Sequence, residues 1–179
     1  MKNNQKGFTL IELILSMAII GILATFMVVN FKKSGVRSRD TQRINDLNQY
    51  TEALELYANN HNGVYPEKRL PFFKAEDLCT DLGISDCPVD PKDNTNSCLG
   101  ALCGYYYQSN GDAIGFDYYA GGTRYTIRAR VEETPNVVFS CAAGETASDP
   151  KFYVICSDRK QGYACNNTGF STGTCPTLY

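Results

Sequence analysis

The sequence predicts an α+β fold in which a long N-terminal helix, half of it transmembrane, packs on a small antiparallel sheet, followed by a cysteine-rich loop region. Three observations predict it. Phe8–Val29 is almost wholly apolar, and apolar residues then recur at helical spacing as far as Asn62. Short runs that alternate apolar and polar residues follow, as in half-buried strands. Eight of the 179 residues are cysteine, which is typical of a disulfide-bonded domain.

The first element is the apolar run Phe8–Val29, whose only charged residue is Glu12. As a helix this run would be about 33 Å long, enough to cross a bilayer core of about 30 Å. A secretory signal peptide has a shorter apolar run and a small-residue cleavage site after it. The sequence VVNFKKSG lacks such a site. We therefore expect residues 8–31 to form a permanent transmembrane helix, preceded by the short polar segment 1–7.

The second element, residues 32–62, continues the helix as an amphipathic segment. Its mostly apolar stripe predicts the face that packs on a globular head. Asn62-Gly63 is a helix stop signal, and a proline follows at Pro66. The stripe consists of Ile44, Leu47, Thr51, Leu54, Ala58 and His61, and the residues outside it are Gln42, Arg43, Asn45, Asp46, Glu52 and Glu55.

The head, residues 63–179, is predicted to contain a short helix over Lys74–Leu82 and then a sheet. Alternation in the strand Thr123–Glu132 predicts that Tyr125, Ile127, Ala129 and Val131 face the long helix, and that Thr126, Arg128 and Arg130 face water. Ala120-Gly121-Gly122 indicates a hairpin, and Ser157–Tyr179 is predicted to be loop. The other expected strands are Gly104–Gln108, Ile114–Tyr119, Val137–Cys141 and Phe152–Cys156.

The eight cysteines indicate disulfides in an oxidising compartment rather than a metal site. No pair has C-x-x-C spacing, and the chain has one histidine, so neither zinc nor thioredoxin-like chemistry has its signature. Eight cysteines allow up to four disulfides and 105 pairings. A count of basic residues flanking the apolar run would keep the head in the cytoplasm, but the eight cysteines favour export and override that count. The cysteines are Cys79, Cys87, Cys98, Cys103, Cys141, Cys156, Cys165 and Cys175.

The remaining residues contain no clear catalytic or cofactor-binding motif. We therefore expect that the protein is not an enzyme and has no cofactor. His61 lies at a helix end with no nucleophile beside it in the sequence, and no nucleotide-binding or hydrolase motif is present. The net charge of −2 argues against strong nucleic-acid binding by the head. The basic residues of Lys32–Arg43 are read as a membrane-flanking segment. Oxygen ligands for calcium are offered by Asp86, Asp90 and Asp93, the only weak metal candidates.

The segment KGFTLIELILSMAIIGILA resembles the start of a type IV prepilin or type II secretion pseudopilin. The resemblance covers about 24 residues and rests on the basic leader, Gly7, Phe8, Thr9, Leu10, Glu12 and Gly21. It implies that a prepilin peptidase cuts between Gly7 and Phe8 and methylates the new amine of Phe8. It also implies that Glu12 pairs with the N-terminal amine of a neighbouring subunit, which would make a buried carboxylate tolerable.

The resemblance further implies a pilin-like fold, a role and a set of partners. The subunit would wait as a single-pass protein of the cytoplasmic membrane with its head outside. An ATPase machine acting through a membrane platform protein would then assemble it, with other pilin-like subunits, into a helical filament at the cell surface. Three alternatives stay open: a secretion or competence pseudopilin, a minor pilin with a binding head, and an anchored extracytoplasmic enzyme, which lacks a catalytic signature.

Two disulfides are expected among nearby cysteines, Cys98–Cys103 and Cys165–Cys175. The second would match the disulfide-closed C-terminal loop that is common in type IV pilins. Major pseudopilins bind calcium in a loop after the sheet. The corresponding region here, around Asp149 and Asp158, shows no clear ligand pattern.

Overall fold

The computed structural model describes residues 7–67, 73–93, 104–109, 122–133, 151–165, 175–176 and 178, without the side chains of 26–32. Helix α1 runs over Leu10–Asn60, as the sequence predicts. The chain divides between Ser38 and Arg39 into two compact units, so α1 contributes to both.

The first unit contains the N-terminal half of α1. Every described side chain from Gly7 to Thr25 is exposed, including the large apolar ones. The sequence predicts a membrane span over 8–31. Within the described part of the chain, no helix has both the length and the apolar character that crossing a membrane requires.

The end of α1 follows from the predicted stop signal. Asn62 and Gly63 both have positive φ, 57° and 79°. This left-handed backbone lets the Gly63 N–H donate to the carbonyl of Ala58 at 2.8 Å, which satisfies an otherwise unpaired helix carbonyl. The chain therefore turns back after Asn60, and Tyr65 forms an antiparallel bridge with Gly122.

The second unit is built on an antiparallel sheet, as predicted. Among the described residues the sheet has five strands in the order β1-β2-β3-β4-β5, with every neighbouring pair antiparallel. A 3₁₀ turn, Ala75–Leu78, and helix α2, Cys79–Leu82, follow β1 and confirm the predicted short helix. The strands are β1 (Phe73–Lys74), β2 (Tyr105–Ser109), β3 (Tyr125–Val131), β4 (Lys151–Cys156) and β5 (Gln161–Ala164).

The main core lies between α1 and the sheet and contains many tyrosines. Leu47, Leu54 and Ala58 are buried as predicted, but the stripe also includes Tyr50, and His61 is exposed. These residues pack against buried residues from β2, β3 and β4, namely Tyr105, Tyr107, Tyr125, Ile127, Ala129 and Ile155. The packed face of α1 is therefore rotated slightly from the predicted stripe.

The prediction that one side of β3 faces water is wrong at two of its three positions. Thr126 and Arg128 are buried, because a second apolar cluster covers this face of the sheet. The Arg128 guanidinium lies 5.8 Å and 5.7 Å from the ring centres of Tyr106 and Phe152. The cluster consists of Phe152, Val154, Cys156 and Ala164, with Cys175 and Leu178 packed on it.

The predicted loop after Ser157 is also wrong, because β5 forms there. Arg159 adopts a positive φ of 62°, and the Cys156 N–H donates to the carbonyl of Lys160 at 2.9 Å. This turn brings Gln161–Ala164 back along β4. Pairing with a neighbouring strand outweighs the weak strand propensity of a short segment containing glycine.

The predicted Cys165–Cys175 disulfide is wrong: Cys175 is bonded to Cys156, across 19 residues. Burial of the β4 end against Leu178 places those two cysteines together. Cys165 is itself disulfide-bonded, and a further disulfide joins Cys79 to Cys87. The other expectations, for Cys98, Cys103 and Cys141, strands 114–119 and 137–141, and the hairpin at 120–121, lie outside the described residues.

Candidate functional site

The N-terminal site is formed by Thr9 and Glu12 at the start of α1. Glu12 Oε2 accepts hydrogen bonds from the Thr9 backbone N–H at 3.1 Å and from the Thr9 hydroxyl at 2.8 Å. The Glu12 N–H donates to Thr9 Oγ1 at 3.4 Å. This is a capping box: the two side chains satisfy backbone donors at the helix N-terminus reciprocally.

The capping box could have been found in the sequence. Thr9-x-x-Glu12 directly before an apolar run is its signature, and it gives Glu12 a structural role beside the assembly role that the resemblance implies. The adjacent positions are open to solvent, since Phe8 is 89% exposed and Gly7 is exposed. The carboxylate of Glu12 thus lies close in sequence to the Gly7–Phe8 bond, on an accessible end of the helix.

The side chains that follow make this half of α1 apolar on all sides. Ten leucine, isoleucine and methionine residues between Leu10 and Leu23 are 52–76% exposed. The polar side chains bond within the helix instead: the Ser16 hydroxyl donates to the Leu13 carbonyl at 2.9 Å, and the Thr25 hydroxyl donates to that of Ile22 at 2.7 Å. Such a surface can enter an apolar environment without leaving these groups unsatisfied.

The head contains a second constellation, a charge cluster made of Asp40, Arg43, Asp90 and Glu132. Arg43 is only 3% exposed and is the centre of the cluster. Its Nε and Nη2 donate to the two carboxylate oxygens of Asp90 at 2.8 Å and 3.0 Å. Its Nη1 donates to Asp40 at 2.7 Å and to Glu132 at 2.9 Å. One guanidinium therefore joins α1, the loop before β2 and the end of β3.

Asp40 adds backbone contacts to this cluster. Its carboxylate accepts hydrogen bonds from the Glu132 N–H at 3.0 Å and the Glu133 N–H at 2.9 Å. Arg39 and Lys92 each donate to Glu132 at 2.7 Å. These hydrogen bonds, first that from Arg39 and then those from Lys92 and Arg43, hold the pKa of the Glu132 carboxyl well below its usual range. The cluster fastens the end of β3 to α1.

Arg43 and Arg39 correct two expectations from the sequence. The sequence pattern predicts Arg43 on the polar face of the helix and both arginines in a membrane-flanking basic segment. Both instead bind carboxylates of the head. Arg43 is buried with carboxylates that include Asp90 and Glu132, which come from distant parts of the chain and are not encoded by helical periodicity.

Tyrosine hydroxyls connect the sheet to acidic residues of α1. Tyr105 donates to Asp46 at 2.5 Å, and Tyr65 and Tyr125 each donate to Glu55 at 3.2 Å. Burial raises the pKa of the Asp46 carboxyl. Burial and the Glu55 carboxylate raise the pKa of Tyr65 to about 12. The polar atoms of these large side chains are thus paired within the core.

The predicted calcium residues occupy different environments. Asp90 binds Arg43, Asp93 accepts hydrogen bonds from Lys74 at 3.0 Å, and Asp86 is exposed. Calcium at these residues stays a prediction. Among described residues, Cys156, Asp158 and Cys175 bring potential ligand atoms within 4.8 Å, but the two sulfurs are joined to each other and are not thiolate ligands. His61 is exposed and stacks on Tyr57, with ring centres 3.8 Å apart.

Comparison with known proteins identifies the N-terminal site. Residues 2–28 match the family model of the prokaryotic N-terminal methylation motif. The chain is 42% identical over 55 residues to a type IV major fimbrial protein of Dichelobacter nodosus, which covers 31% of this chain and 35% of that protein. It is 41% identical over 59 residues to the type IV wide pilus major component of Thermus thermophilus, covering 33% and 45%.

A third relative comes from a secretion system. The chain is 36% identical over 62 residues to the type II secretion system core protein G of Vibrio cholerae, covering 35% of this chain and 42% of that protein. The chain thus spans between about a third and a half of the length of these curated relatives. No solved structure gives a significant match. The N-terminal segment carries the methylation motif and is homologous to type IV pilins and to a pseudopilin.

Proposed function

We propose that this chain is a structural, non-enzymatic subunit of a type IV pilus-like filament. The observation that carries the proposal is the N-terminal half of α1, which exposes apolar side chains on all sides while its polar side chains bond within the helix. A large exposed apolar surface needs a partner or a membrane. The methylation motif and the fimbrial relatives match the same part of the chain.

In this proposal the N-terminal site has two roles. A prepilin peptidase cuts the bond between Gly7 and Phe8, both of which are exposed, and the new amine of Phe8 is methylated. The Glu12 carboxylate then attracts the charged N-terminal amine of a neighbouring subunit. In an apolar bundle a carboxylate and an ammonium group are each costly alone and tolerable as a pair, so the pairing fixes the register of assembly.

The partners and location follow from the same surface. The precursor is anchored in the cytoplasmic membrane by the N-terminal half of α1, with the disulfide-bonded head outside. Copies of this chain and other pilin-like subunits then pack these helices together through a platform protein and an ATPase. Contacts that repeat without closing a ring generate a helical filament.

A second candidate function is a pseudopilin of a type II secretion system. The match to the core protein G of Vibrio cholerae favours it. Both candidates use the same N-terminal site and differ in the filament that the subunit enters. Deleting the gene would abolish surface filaments in the first case and the export of secreted proteins in the second.

Mass spectrometry of the membrane-derived protein tests the proposal. We expect an intact mass and N-terminal sequence that begin at Phe8 with one added methyl group. Gly7→Val should leave the chain beginning at Met1, because a branched side chain replaces glycine at the cut. Gly21→Ala, a matched change within the helix, should still be processed. A wild-type chain that still begins at Met1 contradicts the proposal.

A further inference from the structure

The segment Cys87–Asp90 contacts α1 at two places. At one end the Tyr50 hydroxyl donates to the Pro88 carbonyl at 2.8 Å and lies 3.5 Å and 3.2 Å from the sulfurs of Cys79 and Cys87. At the other end Asp90 receives two hydrogen bonds from Arg43. The first contact depends on a disulfide and the second on an ion pair.

The spacing of the two contacts matches the spacing of their partners on the helix. Arg43 and Tyr50 are seven residues apart on α1, about 10.5 Å at the rise of an α-helix. Three residues of extended chain, from Cys87 to Asp90, span about 10 Å. The side chains of the segment differ in exposure: Val89 is exposed, whereas Asp90 is buried. This difference is expected for a segment that lies along the helix. An extended segment of this length would match the separation of the two partners along α1.

The chemistry of the segment limits its freedom. Pro88 and Pro91 flank Val89-Asp90, and a proline ring fixes its own φ and restricts the preceding residue to extended conformations. Asp90 is held further by its own turn, in which the Lys92 N–H donates to Asp90 Oδ1 at 2.8 Å. The position of Cys87 therefore largely determines the position of Asp90.

We propose that the Cys79–Cys87 disulfide and the Arg43–Asp90 ion pair form one oxidation-dependent latch. Oxidation fixes Cys87 beside Tyr50, and the segment then delivers Asp90 to Arg43. Reduction by a dithiol breaks the S–S bond, gives two cysteine thiols and leaves the dithiol as a disulfide. Cys87 can then move away from Tyr50. The conformational restraint that keeps Asp90 beside Arg43 is lost.

The coupling between the disulfide and the ion pair can be measured from either side, because thermodynamic coupling is reciprocal. If the disulfide strengthens the ion pair, then the ion pair must favour the disulfide by the same free energy. Groups in one network commonly show coupling that corresponds to roughly a twofold to 150-fold change in an equilibrium constant. The Cys156–Cys175 disulfide serves as an internal reference, because it lies at the end of β4 and, among the described residues, none of the hydrogen bonds and ion pairs named above joins it to the charge cluster.

The first experiment equilibrates the detergent-solubilised full-length protein with reduced and oxidised dithiothreitol. Thiols are then alkylated and each disulfide is quantified by peptide mass spectrometry. We expect Arg43→Lys, which keeps the charge but loses the two-pronged contact with Asp90, to shift Cys79–Cys87 towards the reduced form by roughly twofold to 150-fold. Arg39→Lys, a control that changes a partner of Glu132 rather than Asp90, should shift it by less than about twofold.

Two results would overturn the latch: no shift at Cys79–Cys87 in Arg43→Lys, or an equal shift at Cys156–Cys175, which would mean general destabilisation. The second experiment reads the opposite direction by hydrogen exchange in the Cys79→Ser, Cys87→Ser double variant. The Lys92 amide, which is held by Asp90, should exchange faster, whereas the Ile127 amide in β3 should not change. Unchanged exchange at Lys92, or faster exchange at both, contradicts the proposal.

Discussion

The two halves of α1 use the same helical backbone for opposite purposes. From Gly7 to Thr25 the apolar side chains are exposed and the polar ones bond within the helix. From Arg39 to Asn60 one face buries apolar side chains such as Leu47 and Leu54, although Leu56 on another face is exposed, and several polar side chains bond to the sheet and its loops. The exposed apolar surface of the first half needs other molecules to cover it, whereas the second half already packs in a folded head.

The largest expected effect concerns the charge cluster in the second half. Arg43→Met removes the cation that pairs with Asp90, Asp40 and Glu132 and leaves buried carboxylates without it. Breaking a buried pair in this way costs about 3–5 kcal/mol. Urea unfolding of the head, followed by tyrosine fluorescence, measures the loss. Arg39→Met breaks a more exposed pair and should cost about 1 kcal/mol or less. Equal losses would show that Arg43 is not the centre of the cluster.

The next effect compares one leucine from each half. Leu54→Ala leaves a cavity in the core and should lower the free energy of unfolding of the head by about 2–5 kcal/mol. Leu23→Ala changes an exposed side chain and should leave that free energy within about 0.5 kcal/mol. The same urea titration checks both variants. A large loss in Leu23→Ala would mean that the head depends on the first half of the helix.

A smaller effect is acid sensitivity through Glu132. Because its folded pKa lies below the ordinary value of 4.5, its ionised form stabilises the head at neutral pH. That contribution is present above about pH 5 and is lost as the pH falls through the folded pKa. Glu132→Gln should therefore reduce the pH dependence of unfolding in this range. Glu52→Gln, an exposed control on α1, should keep the wild-type dependence; a Glu132→Gln curve that matches wild type would contradict the cluster.

The smallest effect is at the capping box. Thr9→Ala removes one side of the reciprocal contact with Glu12 and should destabilise the start of α1 by about 1 kcal/mol. Thr9→Ser keeps the hydroxyl, so the start of α1 should retain most of its wild-type stability. Amide hydrogen exchange of residues 10–13 in detergent measures the fraying. If alanine and serine behave alike, the hydroxyl contact does not contribute.

Local sequence signals predicted the elements that depend on local chemistry. The apolar run and the Asn62-Gly63 turn predicted α1, and the alternation around Ile127 predicted β3. The failures depend on distant residues. Arg43 is buried only because Asp90 and Glu132 reach it.

Two other failures also concern pairing in space. β5 forms because a turn at Arg159 places it beside β4. Cys175 pairs with Cys156 rather than Cys165, and Cys175 and Leu178 pack on the apolar cluster of β4 and β5. In the N-terminal site the capping box was readable, because Thr9-x-x-Glu12 is a local pattern.

Electron cryomicroscopy of sheared surface filaments can show whether the N-terminal half of α1 packs between subunits. We expect residues 8–25 of many copies to pack together at the filament centre, with the heads outside. Glu12 should lie near the N-terminal amine of a neighbouring copy. A Glu12→Leu variant should give no such filaments while its head still folds. Filaments whose centre is formed by the heads, with residues 8–25 outside, would contradict the account.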